Sequence, residues 1–461
     1  GIIFHYNLFD NWFKLTSMIK TVEQIDVFFN SRLASFANGN LRDNRVKRME
    51  ILLERLGNPE KSFNTYHIAG SKGKGTCASY LSKLIEKSGR RCGLYLSPHV
   101  YDVRERFTLA TSFFPLEAYL DTINELELKI RDFSLPCELG PEKPTTFELY
   151  TAYGYLLFKN AKCTDAVIET GLGGRLDATN TLTPKATIFT NIELEHTNVL
   201  GNTYEEIAKE KLGILRKGVY AFCSQRKLYD IIKKEYADLH CPTFLFDEYD
   251  FDKINYKVEN NCYIYKEADG NSIEIENDSR IIHFDALYAY FIASKLGRLK
   301  QDDSKIIDLR SISLPARFEK ATITKNDKKL FLILDGAHTV KSCKEALKSL
   351  ENNNGYNGNT LLIFSLADGK KLNEIANEVF PKFKRIIITG LGDFKKSNPE
   401  QIHMLAKKIV PNSTVDLIQS PIDVANKAIA ESENGSTILV LGSFYLASRM
   451  KSAFKEVSFV N

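Results

Sequence analysis

The chain has 461 residues and a formal net charge of +4, with 43% hydrophobic and 26% charged residues. These fractions are ordinary for a globular protein. The length exceeds the roughly 250–300 residues at which a single core stops growing, so two domains are expected. Such a small net charge argues against a nucleic-acid partner, which needs clustered Lys and Arg. Because no apolar run is long enough to cross a bilayer, no membrane partner is expected either.

The eight cysteines are scattered, with no CxxC pair and no histidine at a zinc-type spacing. Unpaired thiols are typical of the reducing cytosol, so the sequence predicts a cytoplasmic protein. We interpret all eight as small buried apolar residues rather than ligands.

Residues 1–17 lack the clean apolar region of a signal peptide, and we predict that they are an N-terminal extension or an expression remnant. A helix is predicted to begin at Met18. We predict a first domain over residues 18–298, a polar linker over 299–311 and a second domain over 312–461.

Short apolar runs alternate with amphipathic segments through the first domain, a pattern that predicts βαβ units and a mostly parallel sheet. The predicted strands are 66–69, 93–96, 165–169 and 186–190, and the predicted helices are 77–87, 147–159 and 286–299. Residues 242–282 alternate like antiparallel strands and predict a small β appendage.

Beyond the linker the same alternation restarts. The predicted strands are 330–334, 361–365, 385–389 and 438–441, and the predicted helices are 340–351, 372–379 and 422–433. The expected fold is therefore α/β, with an N-terminal domain like that of P-loop ATPases and a Rossmann-like C-terminal α/β domain.

A glycine-rich segment, Gly70–Thr76, lies between a predicted strand and a predicted helix, the position of a phosphate-binding loop. Glycines allow backbone N–H groups to approach phosphates, and the helix N-terminus adds partial positive charge. Lys74 would face the β- and γ-phosphates, and Thr76 would offer a hydroxyl to Mg²⁺. The segment departs from G-x4-G-K-[ST] because position 68 is Ile and Gly75 separates Lys74 from Thr76. A glycine-rich turn without a ligand is the alternative.

A second glycine cluster, Gly171–Asp177, follows the predicted strand 165–169. It does not fit G-x-G-x-x-G and no helix clearly follows it, so a dinucleotide site is not predicted. Glu169 ends that strand at the carboxyl edge of the sheet, where α/β proteins bind ligands, and a carboxylate suits Mg²⁺. A solvated strand end is an equal alternative for Glu169 alone.

Several segments, in this order, carry a family resemblance. They are Ala69–Thr76, Ser97–His99 with Glu105 and Arg106, Thr145–Glu148, Glu169–Asn180, His196–Gly201 with Ile207–Lys211, Asp335–His338 and Gly442–Leu446. They resemble A-G-T-N-G-K-G-[ST], S-P-H…E-R, T-x-F-E, E-V-G-L-G-G-R-L-D-A-T-N, H-T-x-x-L-G…E-I-A-x-E-K-x-G-I, D-G-A-H-N and G-S-L-Y-L. These are motifs of the folylpolyglutamate synthase/dihydrofolate synthase family, a branch of the Mur ligase superfamily. In this family the extra glycine at position 75 is the rule.

The resemblance implies a role for each matching residue. The implied ATP-binding residues are Lys72, Gly73, Lys74, Gly75, Thr76, Asp285, Arg317, Asp335 and His338. The implied metal ligands are Thr76, Ser97, Glu169 and His196, and the implied pterin-binding residues are Thr145, Thr146, Phe147, Glu148, Leu176, Asp177 and Ala178. The implied catalytic residues are Lys74, His196, Lys211, which the family carries as a carbamate, and Arg317.

Five positions depart from the family pattern. The departures are Lys72 for Asn, Glu195 for Asp, Asp285 for an adenine-contacting Asn, Ala316 for Gly and Thr339 for Asn. An ionised Asp285 could only accept hydrogen bonds. Taken singly, His196 could be a histidine of the core and Lys211 an ordinary solvated lysine of a helix. For His99, Arg104 and Arg106, a role in the site and a position on the surface are equal alternatives.

The implied reaction is ATP-dependent ligation of L-glutamate to dihydropteroate, and to folylpolyglutamate chains, through an acyl phosphate. The implied partners are ATP, L-glutamate and dihydropteroate or a reduced folate, with Mg²⁺ and optionally K⁺ as cofactors. The protein is expected to be a monomer. Two alternatives stay open: another Mur-type amino-acid ligase, and a nucleotide-binding homologue without catalysis. Gly75 disfavours the first alternative, since the loop of those ligases usually reads G-K-[ST].

Overall fold

The computed structural model describes residues 18–31, 39–195, 197–260, 262–300, 305–312, 314–352, 359–392 and 395–460. These residues form two compact units. The first unit comprises residues 1–256, 265–273 and 284–312, and the second comprises 257–264, 274–283 and 313–461.

The first unit is built on a seven-stranded sheet. Its strands are β1 (Asn64–Ala69), β2 (Cys92–Tyr95), β3 (Phe107–Leu109), β4 (Asp165–Glu169), β5 (Ala186–Phe189), β6 (Tyr220–Cys223) and β7 (Thr243–Leu245). The order is β3-β2-β4-β1-β5-β6-β7, and every neighbouring pair is parallel except β2 and β3. The predicted mostly parallel sheet is confirmed. The carboxyl ends of β1, β2, β4 and β5 therefore share one edge.

The described part of the chain up to residue 295 also contains ten α-helices. They are α1 (Val22–Asn30), α2 (Arg45–Arg55), α3 (Lys74–Lys87), α4 (Leu116–Ile130), α5 (Thr146–Asn160), α6 (Thr197–Leu200), α7 (Tyr204–Leu212), α8 (Arg226–Glu235), α9 (Glu248–Asp252) and α10 (Arg280–Lys295). A short 3₁₀ helix, Val103–Arg106, precedes β3. The predicted helix start at Met18 is wrong, because Thr21 caps the helix reciprocally with Gln24 and it begins at Val22.

The predicted β appendage is confirmed as a separate four-stranded sheet. Its strands are β8 (Tyr256–Glu259), β9 (Cys262–Lys266), β10 (Ser272–Ile275) and β11 (Ile306–Asp308), in the order β11-β10-β9-β8. β11 lies within the segment 299–311 predicted as a linker, so part of that segment is a strand of this sheet. Residues 1–17, predicted to be an extension, lie outside the described residues.

The second unit carries another seven-stranded sheet. Its strands are β12 (Glu319–Lys325), β13 (Lys328–Asp335), β14 (Leu361–Phe364), β15 (Arg385–Ile388), β16 (Thr414–Leu417), β17 (Thr437–Leu441) and β18 (Phe459–Val460), in the order β16-β15-β14-β17-β13-β12-β18. Five strands, β13 to β17, are parallel, and β12 runs antiparallel to both β13 and β18. The helices are α11 (Val340–Asn352), α12 (Leu372–Val379), α13 (Pro399–Ile409), α14 (Pro421–Glu431) and α15 (Phe444–Val457). The predicted second α/β fold is confirmed.

The cysteine prediction holds only in part. Six side chains are buried, but Cys137 is exposed and Cys241 is half-buried. Cys137 opens a short 3₁₀ turn and Cys241 precedes β7, so both lie on connections rather than in the core. Among the described helices, none combines the length and apolar character needed to cross a membrane.

Candidate active site

The glycine-rich segment forms a tight connection between β1 and α3. A side chain at Gly70 would place its Cβ 1.8 Å from Thr190 Oγ1, and Gly73 has φ +80°. Only glycine meets both demands without strain. α3 begins at Lys74 with no side chain capping it. Its first N–H groups and its partial positive charge are therefore available to an anion.

Two lysines converge on the same backbone oxygen of this loop. Lys74 Nζ donates to the Gly70 carbonyl at 3.0 Å, and Lys211 Nζ, from the end of α7, donates to it at 2.7 Å. Burial, together with the charge of Lys74, lowers the pKa of Lys211 to about 7, although Glu195 acts in the opposite direction. Lys211 is thus a buried amine with a substantial neutral fraction near neutral pH.

Glu195 lies between two lysines. Its carboxylate is 3.5 Å from Lys211 Nζ and 3.9 Å from Lys72 Nζ. Asn191, two residues after β5, holds the backbone of the same loop, because its Oδ1 accepts a hydrogen bond from Lys72 N at 2.8 Å. Two positions at which the chain departs from the family pattern, Lys72 and Glu195, therefore contact each other.

The implied metal ligands are brought together only in part. The Ser97 N–H, just after β2, donates to Glu169 Oε2 at 2.9 Å at the end of β4. Parallel neighbouring strands place these two residues at one edge, as the sequence argument required. Thr76 is buried in the first turn of α3. His196 lies outside the described residues, and no cluster of three or more His, Cys, Asp or Glu that could hold a metal occurs in the described part.

The implied pterin segment Thr145–Glu148 starts α5. Thr145 accepts from Glu148 N, and Glu148 Oε2 accepts from Thr145 N at 2.7 Å, so the two form a capping box. Glu148 is buried and pairs with both Nε and Nη2 of Arg48. Thr146 is the first residue of the helix. Glu148 therefore has a structural partner, Arg48, that the sequence motifs did not single out.

The second implied pterin segment folds against the first. The Phe147 ring lies over Gly171, where an added Cβ would meet it at 2.3 Å. Asp177 is buried and holds its own loop, because its carboxylate accepts from the N–H groups of Gly171 and Leu172 and from Thr179. Burial raises the pKa of Asp177 while these hydrogen bonds lower it. Leu176 and Ala178 are buried on either side.

His67 contacts this loop, although no motif pointed to it. It lies in the middle of β1, and its Nε2 is 2.8 Å from Thr179 Oγ1. Thr179 Oγ1 donates to Asp177, so His67 must act as the donor toward Thr179. Burial lowers the pKa of His67 to about 3, which keeps the ring neutral. A strand pattern predicts burial but not this partner.

Asp285, on α10, lies against the phosphate loop. A Cβ at Gly73 would be 2.6 Å from its Oδ1. The side chain is buried. The structure thus places this departure from the family pattern beside the loop that is implied to bind nucleotide.

In the second unit, Arg317 is presented by a strained turn. Ala316 and Phe318, on either side of it, both have φ +50°. Asp335 Oδ2 accepts from Phe318 N at 2.9 Å, and its Oδ1 accepts from Ala337 N at 2.8 Å. Burial raises the pKa of Asp335 to about 6. Both oxygens of Asp335 are therefore used to hold backbone.

The ring of Phe444 organises the remaining implied nucleotide residues of this unit. The Arg317 guanidinium carbon is 5.4 Å from the centroid of the Phe444 ring, and the His338 ring meets it edge-on at 6.2 Å. His338 Nδ1 is 2.8 Å from the Gly336 carbonyl. An added Cβ at Gly336 would meet Phe444 at 2.5 Å, so the close approach requires glycine there.

Two family models and several known proteins match this chain. The Mur ligase middle domain model matches residues 68–286, and the Mur ligase glutamate ligase domain model matches residues 316–444. The dihydrofolate synthase/folylpolyglutamate synthase of Bacillus subtilis is 27% identical over 433 residues, covering 88% of this chain and 94% of that protein. The dihydrofolate synthetase of Saccharomyces cerevisiae is 26% identical over 438 residues, covering 88% and 96%.

A solved structure shows the same fold. The Mycobacterium tuberculosis folylpolyglutamate synthase complexed with ADP superimposes with a TM-score of 0.79 at 20% identity, covering 94% of this chain and 98% of that one. Fold and site together define an ATP-dependent ligase. The chain belongs to the dihydrofolate synthase/folylpolyglutamate synthase family of the Mur ligase superfamily.

Proposed function

We propose that this protein joins L-glutamate to dihydropteroate and also extends the glutamyl chain of reduced folates. The observation that carries the proposal is the uncapped start of α3 behind a glycine loop on which Lys74 and Lys211 converge. That arrangement suits a polyphosphate, and of the two relatives matched over nearly their whole length one is named for both ligations and the other for dihydrofolate synthesis.

A carboxylate is a poor electrophile, so the acid must be activated before an amine can attack it. The proposed first step transfers the γ-phosphoryl group of ATP to the acid, giving an acyl phosphate and ADP. The glutamate nitrogen then attacks the acyl carbon, and phosphate leaves. Phosphoryl transfer depends mainly on positioning and on neutralising charge, which we assign to the loop backbone, Lys74 and Arg317.

Lys211 has the properties that carbamate formation needs. Carbon dioxide reacts with a neutral amine, and the pKa of Lys211 is lowered to about 7. The carbamate would convert a cation beside the Gly70 carbonyl into an anionic oxygen donor. We therefore propose that Lys211 is carbamylated in the working enzyme, which mass spectrometry of the intact protein with and without bicarbonate would test.

The donor groups at the strand ends fit Mg²⁺. Ser97 and Glu169 meet through the 2.9 Å hydrogen bond and supply a hydroxyl and a carboxylate, the oxygen ligands that a hard cation prefers. We propose that Thr76, Ser97, Glu169 and His196 hold the ion, which would draw charge from the phosphates when bound. K⁺ stays a prediction, to be tested by replacing KCl with NaCl in the assay.

The pterin ring is assigned to the region where Phe147 lies over Gly171. We propose that Thr145–Glu148 and Leu176–Ala178 bind it, while Asp285, Asp335 and His338 act with Arg317 on the nucleotide. Since Asp177 and Asp335 already accept backbone N–H groups with both oxygens, their contribution is to hold the loop and the turn in shape.

We further propose a monomeric cytoplasmic protein whose partners are small molecules and not nucleic acid. The predicted boundaries of the two domains, 18–298 and 312–461, and of the N-terminal extension are kept as part of this proposal. Light scattering on the purified protein tests the oligomeric state directly.

The deciding experiment is ADP release with ATP, Mg²⁺ and L-glutamate. Dihydropteroate, tetrahydrofolate and a muramyl peptide are supplied in turn as the acid. We expect ADP release with the first two and none with the third. Release with the muramyl peptide alone would indicate a cell-wall ligase, and the absence of release with all three acids would indicate a nucleotide-binding homologue without catalysis.

A further inference from the structure

One buried arginine of the first unit has no anionic partner among the residues that the structure describes. Arg106 ends the 3₁₀ helix before β3, and only 9% of its surface is exposed. Its Nε donates to His99 Nδ1 at 2.8 Å, and its guanidinium carbon is 4.1 Å from the centroid of the Tyr150 ring. Within the described part of the chain, its two Nη groups donate to no acceptor and it forms no ion pair.

Arg48 shows what a buried arginine looks like when it is structural. It is fully buried, pairs through two nitrogens with the carboxylate of Glu148, and also donates to the carbonyls of Pro141 and Lys143. A guanidinium stays charged in proteins and has five N–H donors. Burying such a charge without an anion is costly, so buried arginines are normally paired. Arg106 lacks what Arg48 has.

The surroundings of Arg106 do not neutralise it. His99 accepts the hydrogen bond from Arg106 Nε at its Nδ1, so this nitrogen carries no proton and the ring brings no negative charge to the arginine. Asp102 is engaged by Arg104 at 2.7 Å. Burial raises the pKa of the Asp26 carboxyl, on α1, and the charge of Arg106 only partly opposes this effect; the two side chains form no ion pair. The charge of Arg106 is therefore not neutralised by an ion pair with any of the described residues.

Arg106 also contacts the two segments that carry the proposed chemistry. His99 lies two residues after Ser97, whose N–H is bonded to Glu169. Tyr150 lies one helical turn after Phe147, whose ring covers Gly171. The arginine is thus tied to the strand-end edge through His99 and to the start of α5 through Tyr150.

We propose that Arg106 binds a carboxylate group of a substrate, with His99 and Tyr150 as the residues that position its guanidinium. The inference rests on the proposed function, in which both the acid and L-glutamate carry carboxylates. The two Nη groups would bind the carboxylate side by side, the geometry for which a guanidinium is suited. Neither the fold nor the family motifs had assigned this residue to site or surface.

The kinetic test compares Arg106→Met with Arg104→Met. Arg104 is two residues away and already has its carboxylate, so it is the matched control. For Arg106→Met we expect the KM of one carboxylate substrate, the acid or L-glutamate, to rise roughly tenfold to a hundredfold, the worth of a hydrogen bond to a charged group. The KM of ATP stays the same, and Arg106→Lys recovers part of the loss. The substrate whose KM rises identifies the source of the carboxylate.

Thermal stability separates this role from a structural one. Removing an unpaired buried charge does not destabilise the protein, so the melting temperature of Arg106→Met should equal or exceed that of the wild type, whereas Arg48→Met should lower it strongly. Unchanged KM values for both carboxylate substrates would overturn the proposal, as would a lowered melting temperature with a uniform loss of kcat.

A binding measurement keeps the inference separate from the proposed reaction. If the wild type releases no ADP with any acid, the proposed function fails, and carboxylate binding is decided by thermal shift with p-aminobenzoate and with L-glutamate. We expect at least one of these probes to raise the melting temperature of the wild type and of Arg104→Met but not of Arg106→Met. Equal shifts in all three proteins, or none in the wild type, would refute carboxylate binding at Arg106.

Discussion

The phosphate loop of the first unit and the Arg317 turn of the second both bend the backbone to expose positive charge, but by different means. In the loop the left-handed position is a glycine, Gly73, with φ +80°. In the turn the left-handed positions are Ala316 and Phe318, both at φ +50°. Because glycine adopts this conformation without strain, the loop is unstrained, whereas the turn carries strain of about 1–2 kcal/mol at each of its two left-handed residues.

Carboxylates hold the strained turn in place. Asp335 accepts from Phe318 N and Ala337 N, and Glu319 accepts from Ala316 N and pairs with Lys451. Strain of this kind persists only where the surroundings fix the backbone. The conformation of the loop should therefore depend on its glycines and its charge on its lysines. The conformation of the turn should depend on ionisable side chains and hence on pH.

The largest effect is expected from the phosphate loop. Lys74→Met removes a cation that Lys211 cannot replace, because Lys211 is anionic when it is carbamylated as proposed, and we expect kcat to fall about 10²- to 10³-fold. ADP release measures this, with Lys83→Met, at a half-buried position of α3 where the lysine pairs with Glu86, as the control. A loss of less than about fivefold in Lys74→Met would show that the loop does not present its charge through this lysine.

The two regions should respond to pH in opposite windows. Asp335 has its pKa raised from 3.8 to about 6, so the stability it contributes when protonated is complete below pH 4 and is lost as the pH rises through 6, by about 3 kcal/mol. Lys211 has its pKa lowered from 10.5 to about 7, so the folded state loses stability as the pH falls from 10.5 through 7. Asp335→Asn should flatten only the lower window and Lys211→Met only the upper one.

Urea unfolding across pH 4–10 in bicarbonate-free buffer measures both windows. Asp423→Ala, at an exposed position of α14, is the control and should leave both unchanged. If Asp335→Asn left the slope between pH 4 and pH 6 intact, another group would be responsible for it, and the turn would not differ from the loop in the way described.

A smaller effect, of the opposite sign, is expected at Ala316. Ala316→Gly restores the residue that the family has there and relieves the left-handed strain, so we expect the free energy of unfolding to rise by about 1 kcal/mol or less. Ala430→Gly, at an exposed position of α14, should lower it instead. Chemical unfolding of the two variants decides, and destabilisation by Ala316→Gly would mean that the turn is not strained.

The smallest effect concerns the two departures that meet at the loop. Lys72 and Glu195 are 3.9 Å apart and partly exposed, so their coupling is expected to be below about 1 kcal/mol. A double-mutant cycle on the KM of ATP with Lys72→Asn, Glu195→Asp and both together measures it. We expect the double variant to be less impaired than the sum of the single ones. Strict additivity of the two effects on the KM of ATP would show that the two side chains act independently.

Regular elements with a clear hydrophobic pattern were predicted well. β4 and α12 have the predicted bounds to the residue, because each is a short periodic run between polar stops. α10 was placed too late, at Ala286 instead of Arg280, since His283 and Asp285 interrupt the apolar pattern although both are buried in the structure. The strand β12 was missed because five of its seven residues are Lys, Glu or Thr at exposed or half-buried positions.

The sequence by itself determined the two α/β units, the phosphate loop and the family, because glycine spacing and hydrophobic period are local properties that survive without knowledge of contacts. Only the tertiary structure decided which charges are paired. Arg48 and Arg106 are both buried arginines, yet one pairs with Glu148 from a helix 100 residues away and the other has no anion among the described residues. Pairing of buried charges depends on long-range packing, which no local pattern encodes.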